Sequence, residues 1–339
     1  MTPGPLATTA IGSLPHTDLE RALEVAFRLD IPCLPALPRR SVAELLVPQG
    51  LHGLPGLVTD EAGSCTVDLD VWRRGRIAFQ KTLSAAIDGA GAASPVAPAA
   101  EACVVWQPFL KALRARQSPL AKVQLVGPLT ASRAARLSDG RALVAELPIA
   151  NQVFQLLVAR ALAMIRAVQD CGARPIFFFD EPGLTGLSLG TARNLMGLQE
   201  LRTSVIALRK TGALVGLHCC GEAQWERLLP LGFHFLSIDA AISLASLLRW
   251  HEELKAFAAA GGRLALGVIP TGGDAIAPRP ADLADGLLRA LGTREPSLLR
   301  TALLTPACGL ALRTVPEAEL ALAALPEVQR VLAQSPGLA

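Results

Sequence analysis

The feature that most constrains the fold is an alternation of short apolar runs with longer amphipathic segments along nearly the whole chain. Eight runs are short enough for single strands, and they are almost continuously hydrophobic, which is typical of strands covered on both faces. The runs are residues 8–13, 32–37, 123–128, 175–181, 214–220, 235–240, 264–270 and 302–308. Most of the segments between them have apolar residues at three- and four-residue spacing, which predicts helices.

Helix signals fit this alternation. Asp18 is a predicted N-cap for a helix over LERALEVAFRL, and Gly172 marks the end of the helix predicted within residues 141–170. Further helices are predicted over residues 192–211, 222–230, 243–260, 281–292 and 316–334.

Strands that alternate with helices predict a parallel sheet covered by helices. Eight such units in 339 residues favour a single-domain (β/α)8 TIM barrel over residues 1–339, rather than an open doubly wound sheet. No GxGxxG motif follows the first strand, which argues against a dinucleotide-binding fold.

One connection is too long for a simple barrel. Residues 38–122 form an insertion between strands 2 and 3, and they include the Gly/Ala/Pro/Ser-rich stretch 88–100. We predict a hairpin near SCTVDLDVW and a helix over residues 105–116. Long βα insertions on a barrel usually build a wall or lid of the active site, and the alternative is a flexible surface loop.

Composition excludes several functional classes. The net charge of +3, the 4% of aromatic residues and the absence of tyrosine leave no nucleic-acid-binding footprint. No apolar run approaches the length of a membrane span, and the first residues do not resemble a signal peptide. Seven cysteines, two of them adjacent, argue against a disulfide framework and favour a reducing cytoplasm.

Polar residues cluster where the predicted strands end. In a (β/α)8 barrel these ends share one face, and that face holds the active site. The residues at these ends are Ser13, His16, Thr130, Asp180, Glu181, His218, Cys220, Asp239 and Cys308. Residues far apart in sequence would therefore be neighbours, and we include His16 among the candidates for substrate binding.

The strongest cluster predicts a metal site. A strand points alternate side chains the same way, so His218 and Cys220 share a direction and Cys219 packs on the other side. Cys308 and Asp239 at equivalent strand ends would complete a Zn²⁺ site, in which an incoming thiol could displace the carboxylate. The alternative is that these are buried, inert cysteines.

Two further motifs carry candidate functional groups. Asp180 and Glu181 form a carboxylate pair at a strand end, and we take them as candidate catalytic carboxylates that recognise an ammonium or polarised group. The alternative is a helix N-cap or a salt bridge to an arginine, since a buried unpaired charge is costly. Gly12 and Ser13 offer N–H groups and a hydroxyl for a carboxylate, or form only a tight turn.

Together the fragments TTAIGSLPH, VGPLT, FFDEPGL, His218/Cys220, Asp239 and TPACGLALRT resemble the C-terminal catalytic barrel of cobalamin-independent methionine synthase, in order and over nearly the whole chain. The fold is also similar to that of uroporphyrinogen decarboxylase, which shares this barrel superfamily without a zinc site. The resemblance implies zinc bound by a histidine, two cysteines and a carboxylate, and a homocysteine-like acceptor. The implied zinc ligands are His218, Cys220, Cys308 and Asp239, and the implied substrate contacts are Ile11, Gly12, Ser13 and Asp180.

The chain departs from the family pattern in four ways. Asp239 stands where the family usually has Glu, and Leu37 falls near the place of a substrate-binding Glu. Gly272 occupies about the place of the histidine that protonates the folate nitrogen. The chain also corresponds to the catalytic half alone, without the second barrel that helps hold folate. The last two departures favour a methylcorrinoid donor, carried by a partner protein.

The sequence therefore supports three hypotheses. The first is a zinc-dependent methyltransferase that methylates a thiol, with homocysteine converted to methionine. The second is a uroporphyrinogen decarboxylase-like enzyme or lyase without metal, in which Asp180 is central. The third is a non-catalytic barrel that binds a corrinoid or a thiol metabolite.

Overall fold

The computed structural model describes residues 2–89, 95–273, 279–292 and 295–335. Its centre is a curled sheet of six parallel strands in the order β3-β5-β6-β7-β8-β9, and a small sheet has the order β1-β2-β4. The strands are β1 Leu57–Thr59, β2 Cys65–Val67, β3 Leu120–Val126, β4 Arg136–Leu137, β5 Arg174–Asp180, β6 Leu214–Cys219, β7 Phe235–Asp239, β8 Arg263–Ile269 and β9 Leu303–Pro306.

Helices follow each strand of the large sheet. The α-helices are α1 Leu19–Ala26, α2 Leu46–Leu51, α3 Leu69–Asp88, α4 Trp106–Arg116, α5 Pro128–Ala134, α6 Leu147–Gln169, α7 Ala192–Arg209, α8 Trp225–Leu228, α9 Ala240–Leu247, α10 His251–Ala259, α11 Pro280–Leu287, α12 Pro296–Thr301 and α13 Val315–Ala333. Short 3-10 turns span Val42–Glu44, Leu143–Ala145, Pro182–Leu184 and Leu229–Leu231, and a π-helix spans Leu288–Gly292. The parallel α/β prediction is confirmed.

Alternate side chains of the large sheet enter two different cores. In β5, Phe177 and Phe179 pack among the helices, whereas Ile176 and Phe178 join a cluster that includes a residue of every strand of the sheet. The rings of Phe178 and Phe235 stack across that inner cluster, 6.0 Å apart. Because strand side chains alternate with period two, a run such as PIFFF must be apolar throughout to cover both faces.

The first two predicted strands, 8–13 and 32–37, are extended segments joined to the sheet by isolated parallel bridges rather than ladders. Thr8 pairs with Leu304 of β9, and Cys33 pairs with Lys122 of β3. A third bridge joins Ser13 to Ala36, so the two segments also pair with each other. For the other six predicted strands, the first and last residues lie within three residues of those observed.

The predicted insertion has its own structure. An antiparallel hairpin joins β1 to β2, and β2 pairs in parallel with β4. Its long helix α3 packs on α6 around a second apolar core that contains Trp72 and Leu83. The predicted hairpin and the helix over 105–116 are present, although α3 begins at Leu69, inside SCTVDLDVW. Residues 90–94 of the Gly/Ala-rich stretch lie outside the described residues.

Helix boundaries follow local chemistry. The Asp18 carboxylate accepts the Arg21 N–H at the start of α1, which confirms the predicted N-cap. Gly172 has φ +84° after α6, the left-handed conformation that favours glycine.

Helix α6 is long and apolar enough to span a membrane, contrary to the sequence expectation. However, 78% of its apolar window is buried, as in the core helix of a soluble protein.

Candidate metal centre

Strand register brings the predicted polar residues to one edge of the large sheet. Asp180, the last residue of β5, is opposite His218 of β6, which in turn is opposite Ser237 of β7. Cys308 follows the end of β9 by two residues. Because all six strands are parallel, their carboxyl ends meet on this edge, and the side chains that follow them converge.

His218, Cys220 and Cys308 form a compact cluster. One ligand atom of each lies within 4.8 Å of those of the other two. The Nδ1 atom of His218 lies 2.9 Å from the Ser237 hydroxyl, which orients the ring. Its Nε2 atom is buried and has no hydrogen-bond partner among the described residues. An orphaned imidazole nitrogen beside two thiols is the donor set that Zn²⁺ prefers, so these residues fit the ion.

The two thiols influence each other's charge. A hydrogen bond with Cys308 lowers the pKa of Cys220, in spite of the partial burial of this thiol. The same bond, together with burial, raises the pKa of Cys308 to about 12. Of the two thiols, Cys220 therefore loses its proton more readily than Cys308. A bound divalent cation would favour the thiolate on both residues.

A cavity of about 330 Å³ opens beside this cluster. Its wall is largely apolar, and the polar groups are few. Its lining includes His218, Cys220, Cys308, Asp180, Ile11, Ser13, Gln124, Glu44, Leu45, Leu46 and Leu312. A mostly apolar cavity with a few convergent polar groups is typical of a site for a small molecule.

Asp180 is one of two carboxyl groups that line this cavity, and the other is Glu44. The Asp180 side chain is buried, and its Oδ1 atom has no hydrogen-bond partner among the described residues. Burial raises the pKa of Asp180, and the nearby charges of Lys122 and His218 lower it in part. An unpartnered buried carboxyl oxygen leaves room for a donor from a ligand.

Of the predicted substrate contacts in and after the first strand, some line the cavity and others do not. Ile11 and Ser13 line the cavity, whereas Gly12 lies beside it with φ +147°. His16 is buried elsewhere, and its Nε2 atom is 3.1 Å from a carboxylate oxygen of Glu319. Its predicted role in substrate binding stays a prediction, without support from this geometry.

Glu181 is fully buried, and its carboxylate is held by the start of α5. It accepts hydrogen bonds from the Leu129 N–H at 2.9 Å and from both the N–H and the hydroxyl of Thr130 at 2.6 Å. A Cβ atom at Gly127 would lie 2.0 Å from the Glu181 side chain, so any larger residue at position 127 would displace this carboxylate. Burial raises the pKa of Glu181 to about 7, although these hydrogen bonds oppose the shift. These contacts match the alternative of a helix cap, and a catalytic role for Glu181 stays a prediction.

Asp239 is near the cluster but has another partner. Its Oδ1 atom accepts the N–H groups of Ala241 and Ile242, as the N-cap of α9. It does not belong to the group of atoms within 4.8 Å, although its charge acts on Cys220. Its second carboxylate oxygen is not needed by the cap, so ligation by Asp239 stays a prediction.

The sequence analysis did not identify three polar residues of this region. Glu44, from the insertion, lines the cavity and accepts the N–H groups of Leu37 and Val104. Lys122 and Gln124 are buried in β3. The signal that could have found them is the polar residue at alternate positions of LAKVQLV, a strand that is otherwise apolar.

The fold and this centre define a parallel α/β protein with a candidate His–Cys–Cys metal centre at the carboxyl edge of its sheet. No protein-family model and no curated protein sequence match the chain. Solved structures do match its fold. A B12-independent methionine synthase from Shewanella sp. W3-18-1, in complex with selenomethionine, matches with a TM-score of 0.66 and 15% identity over 98% of both chains.

A second solved structure has the same fold. A methyltransferase from Methanosarcina mazei matches with a TM-score of 0.52 and 14% identity, over 97% of this chain and 95% of the other. At these identities the likeness concerns the fold alone. The chain therefore has a methionine synthase-like fold, which confirms the resemblance predicted from its motifs.

Proposed function

We propose that this protein is a zinc-dependent methyltransferase that methylates a thiol, with homocysteine as the acceptor. The observation that carries the proposal is the convergence of His218, Cys220 and Cys308 within 4.8 Å on the wall of a cavity. Two thiols and one imidazole leave a fourth position of a tetrahedral zinc site to Asp239 or to an incoming thiol. The fold, shared with a methionine synthase and a methyltransferase, supports the same reaction class.

The chain's own residues would bind and orient the acceptor. Asp180 offers an unpartnered carboxyl oxygen to the acceptor ammonium group, and Ser13 offers a hydroxyl on the same wall. The apolar wall excludes water from the acceptor thiolate. Its sulfur attacks the donor methyl carbon, so that the S–C bond forms as the bond from this carbon to the carrier breaks, and the carrier keeps the electron pair of the broken bond. Zinc bound to His218, Cys220 and Cys308 would lower the pKa of the acceptor thiol, so that a thiolate exists at neutral pH.

We also propose that the eight parallel segments form a closed (β/α)8 barrel in one domain. The bridges Thr8–Leu304, Ser13–Ala36 and Cys33–Lys122 support closure, since they connect β9 to β3 through both N-terminal segments. Backbone hydrogen bonds from Thr9 to Leu304 and from Leu34 to Lys122 continue these pairings. A closed barrel keeps the ends of all eight segments on one rim, which the proposed site requires.

A methylcorrinoid, carried by a partner protein in the cytoplasm, is the proposed donor. Leu312 lines the cavity, yet its side chain is 96% exposed, so the cavity has an apolar outer rim. Leu45 and Leu46 lie on the same cavity wall. Gly272, after β8, offers no group that could protonate a folate nitrogen; residues 274–278 of this connection lie outside the described residues. A corrinoid donor needs no such proton.

Elemental analysis combined with a turnover assay tests the proposal. The purified protein should contain about one zinc ion per chain and should form methionine from methylcobalamin and homocysteine. Methyl transfer from methyltetrahydrofolate, but not from methylcobalamin, would refute the proposal that the donor is a methylcorrinoid. Zinc-free protein that is fully folded and cannot bind the ion would favour the metal-free enzyme. Zinc without turnover would favour a binding protein.

A further inference from the structure

Lys122 is a cation buried inside the sheet that forms no ion pair with a carboxylate of the described residues. Its side chain is 2% exposed, and none of the carboxylates in the described ranges lies within 4.0 Å of the ammonium. The Nζ atom donates to the Ile11 carbonyl at 2.7 Å and to Gln124 Oε1 at 3.2 Å, and it lies 4.9 Å from the Phe178 ring centre. Burial of a charge whose direct hydrogen-bond partners are all neutral is costly, although Asp180 lies within electrostatic range of Lys122, so a functional reason is expected.

Lys122 determines which way the Gln124 amide points. Because an ammonium can only donate, Oε1 of Gln124 must face Lys122, and the Cys33 thiol donates to the same oxygen at 3.2 Å. The Nε2 atom then donates one hydrogen to the Leu34 carbonyl at 2.8 Å. Within the described part of the chain, the second amide hydrogen of Gln124 has no acceptor, and this side chain lines the cavity.

Gly12 allows this amide to sit against the first strand. A Cβ atom at position 12 would lie 2.3 Å from Gln124 Nε2, which real Cβ atoms do not approach. The Ile11 carbonyl that Lys122 holds is in the same segment, and Ile11 also lines the cavity. Lys122 thus links two parts of the cavity wall, the first segment and Gln124.

We propose that Gln124 is a specificity-determining residue that donates its remaining amide hydrogen to the carboxylate of the acceptor, and that Lys122 is the positioning residue that orients it. The inference rests on the proposed function for the acceptor. Asp180 and Glu44 make the cavity wall acidic, which suits an ammonium but repels a carboxylate. The buried ammonium of Lys122 supplies the opposite potential where the carboxylate binds, so an α-amino acid is preferred over a simple amine.

Two thiols that differ in one group test the contact. Calorimetric binding of homocysteine and of 3-aminopropane-1-thiol, which lacks the carboxylate, is compared on zinc-loaded protein. Gln124→Glu keeps the shape but removes the donor, so homocysteine binding should weaken by about tenfold or more. Binding of 3-aminopropane-1-thiol should change by less than about twofold. Lys122→Met should also weaken the binding of homocysteine more than that of 3-aminopropane-1-thiol. Lys111 is an exposed lysine on α4, and Lys111→Met should change neither affinity. Equal losses for both thiols would overturn the carboxylate contact.

Stability measurements test the positioning role without any substrate. The urea midpoints of Lys122→Met, Gln124→Leu and the double variant form a cycle. Each single change leaves a buried partner unsatisfied, so the double variant should lose less than the sum of the two single losses. Additive losses would overturn the positioning role. Gln124→Met replaces any Gln124 variant that fails to fold.

The outcomes separate this inference from the proposed function. Methyl transfer to homocysteine with unchanged thiol selectivity in Gln124→Glu would overturn the inference and leave the function standing. Selective homocysteine binding that Gln124→Glu abolishes, without methyl transfer by the native protein, would overturn the function and leave the inference standing. If the native protein binds both thiols equally, the carboxylate contact is wrong.

Discussion

At the scale of residues, adjacent side chains at the end of β6 have different environments. Cys220 lies in the candidate metal centre, whereas Cys219 is fully buried, where its thiol contacts Gly221 and Thr185. Cys308→Ser should weaken zinc binding by more than about tenfold, because a neutral hydroxyl replaces a thiolate ligand. Methyl transfer should stop as a consequence. Zinc content by elemental analysis measures the loss. Cys219→Ala is the matched control and should keep its zinc; stoichiometric zinc in Cys308→Ser would show that the ligand set is wrong.

A second prediction at this scale concerns the free carboxyl oxygen of Asp180. Asp180→Asn removes the charge that would pair with the acceptor ammonium, but it leaves the His218, Cys220 and Cys308 cluster intact. We expect zinc to stay bound and the KM for homocysteine to rise by about tenfold or more, with a smaller change in kcat. Steady-state kinetics with methylcobalamin measure this. Loss of metal in the variant would instead make Asp180 a ligand.

At the scale of elements, Glu181 joins the end of β5 to the start of α5. The three groups that contact its carboxylate all donate hydrogen bonds. In Glu181→Gln the side-chain amide nitrogen is itself a donor, so it could not accept the hydrogen bonds of the donors that face it. We expect the variant to lose about 1–3 kcal/mol of unfolding free energy at pH 7 and to keep its zinc. Urea unfolding measures the loss. Glu61→Gln, an exposed change, is the control, and a loss of turnover with full stability would revive a catalytic role for Glu181.

The same carboxyl group predicts a pH dependence. Its pKa is raised from 4.5 to about 7 in the folded protein, so the folded state holds this proton more tightly than the unfolded state. Its contribution to stability is therefore fully present below pH 4.5 and is lost as the pH rises through 7, by up to about 3 kcal/mol. Urea midpoints between pH 4.5 and 8 should fall more steeply in the native protein than in Glu181→Gln. Parallel curves would contradict the raised pKa.

At the scale of the whole molecule, the insertion and the last βα connection form the rim of the cavity. Leu45 and Leu46 come from the insertion, and Leu312 follows β9; all three line the cavity. Leu312→Asp should reduce the rate with methylcobalamin by roughly tenfold, because a charge on an apolar rim opposes burial of the corrinoid face. Zinc content and stability should be unchanged. Leu320→Asp, at an exposed position of α13, is the control, and equal rates in both variants would show that the donor does not contact this rim.

Prediction from the sequence succeeded where the signal is local. The apolar run PIFFF, the Asp18 cap and Gly172 each report on a neighbourhood of a few residues, and the structure has the strand, the cap and the helix end there. The pair His218 and Cys220 is also local, since strand period alone makes the two side chains share a direction. The hydrogen-bond partners of Glu181 and His16 were not predictable in this way, because these partners are distant in sequence.

The sequence by itself determined the parallel α/β class, the order of its elements and the residue types at the strand ends, because hydrophobic period and turn chemistry are properties of short segments. Only the tertiary structure decided which of these residues meet. Cys308 joins His218 through strand register, Asp239 caps a helix, and Lys122 and Gln124 lie together in a sheet interior beside the cavity. These outcomes depend on the curvature and pairing of a sheet built from the whole chain, and no short segment contains that information.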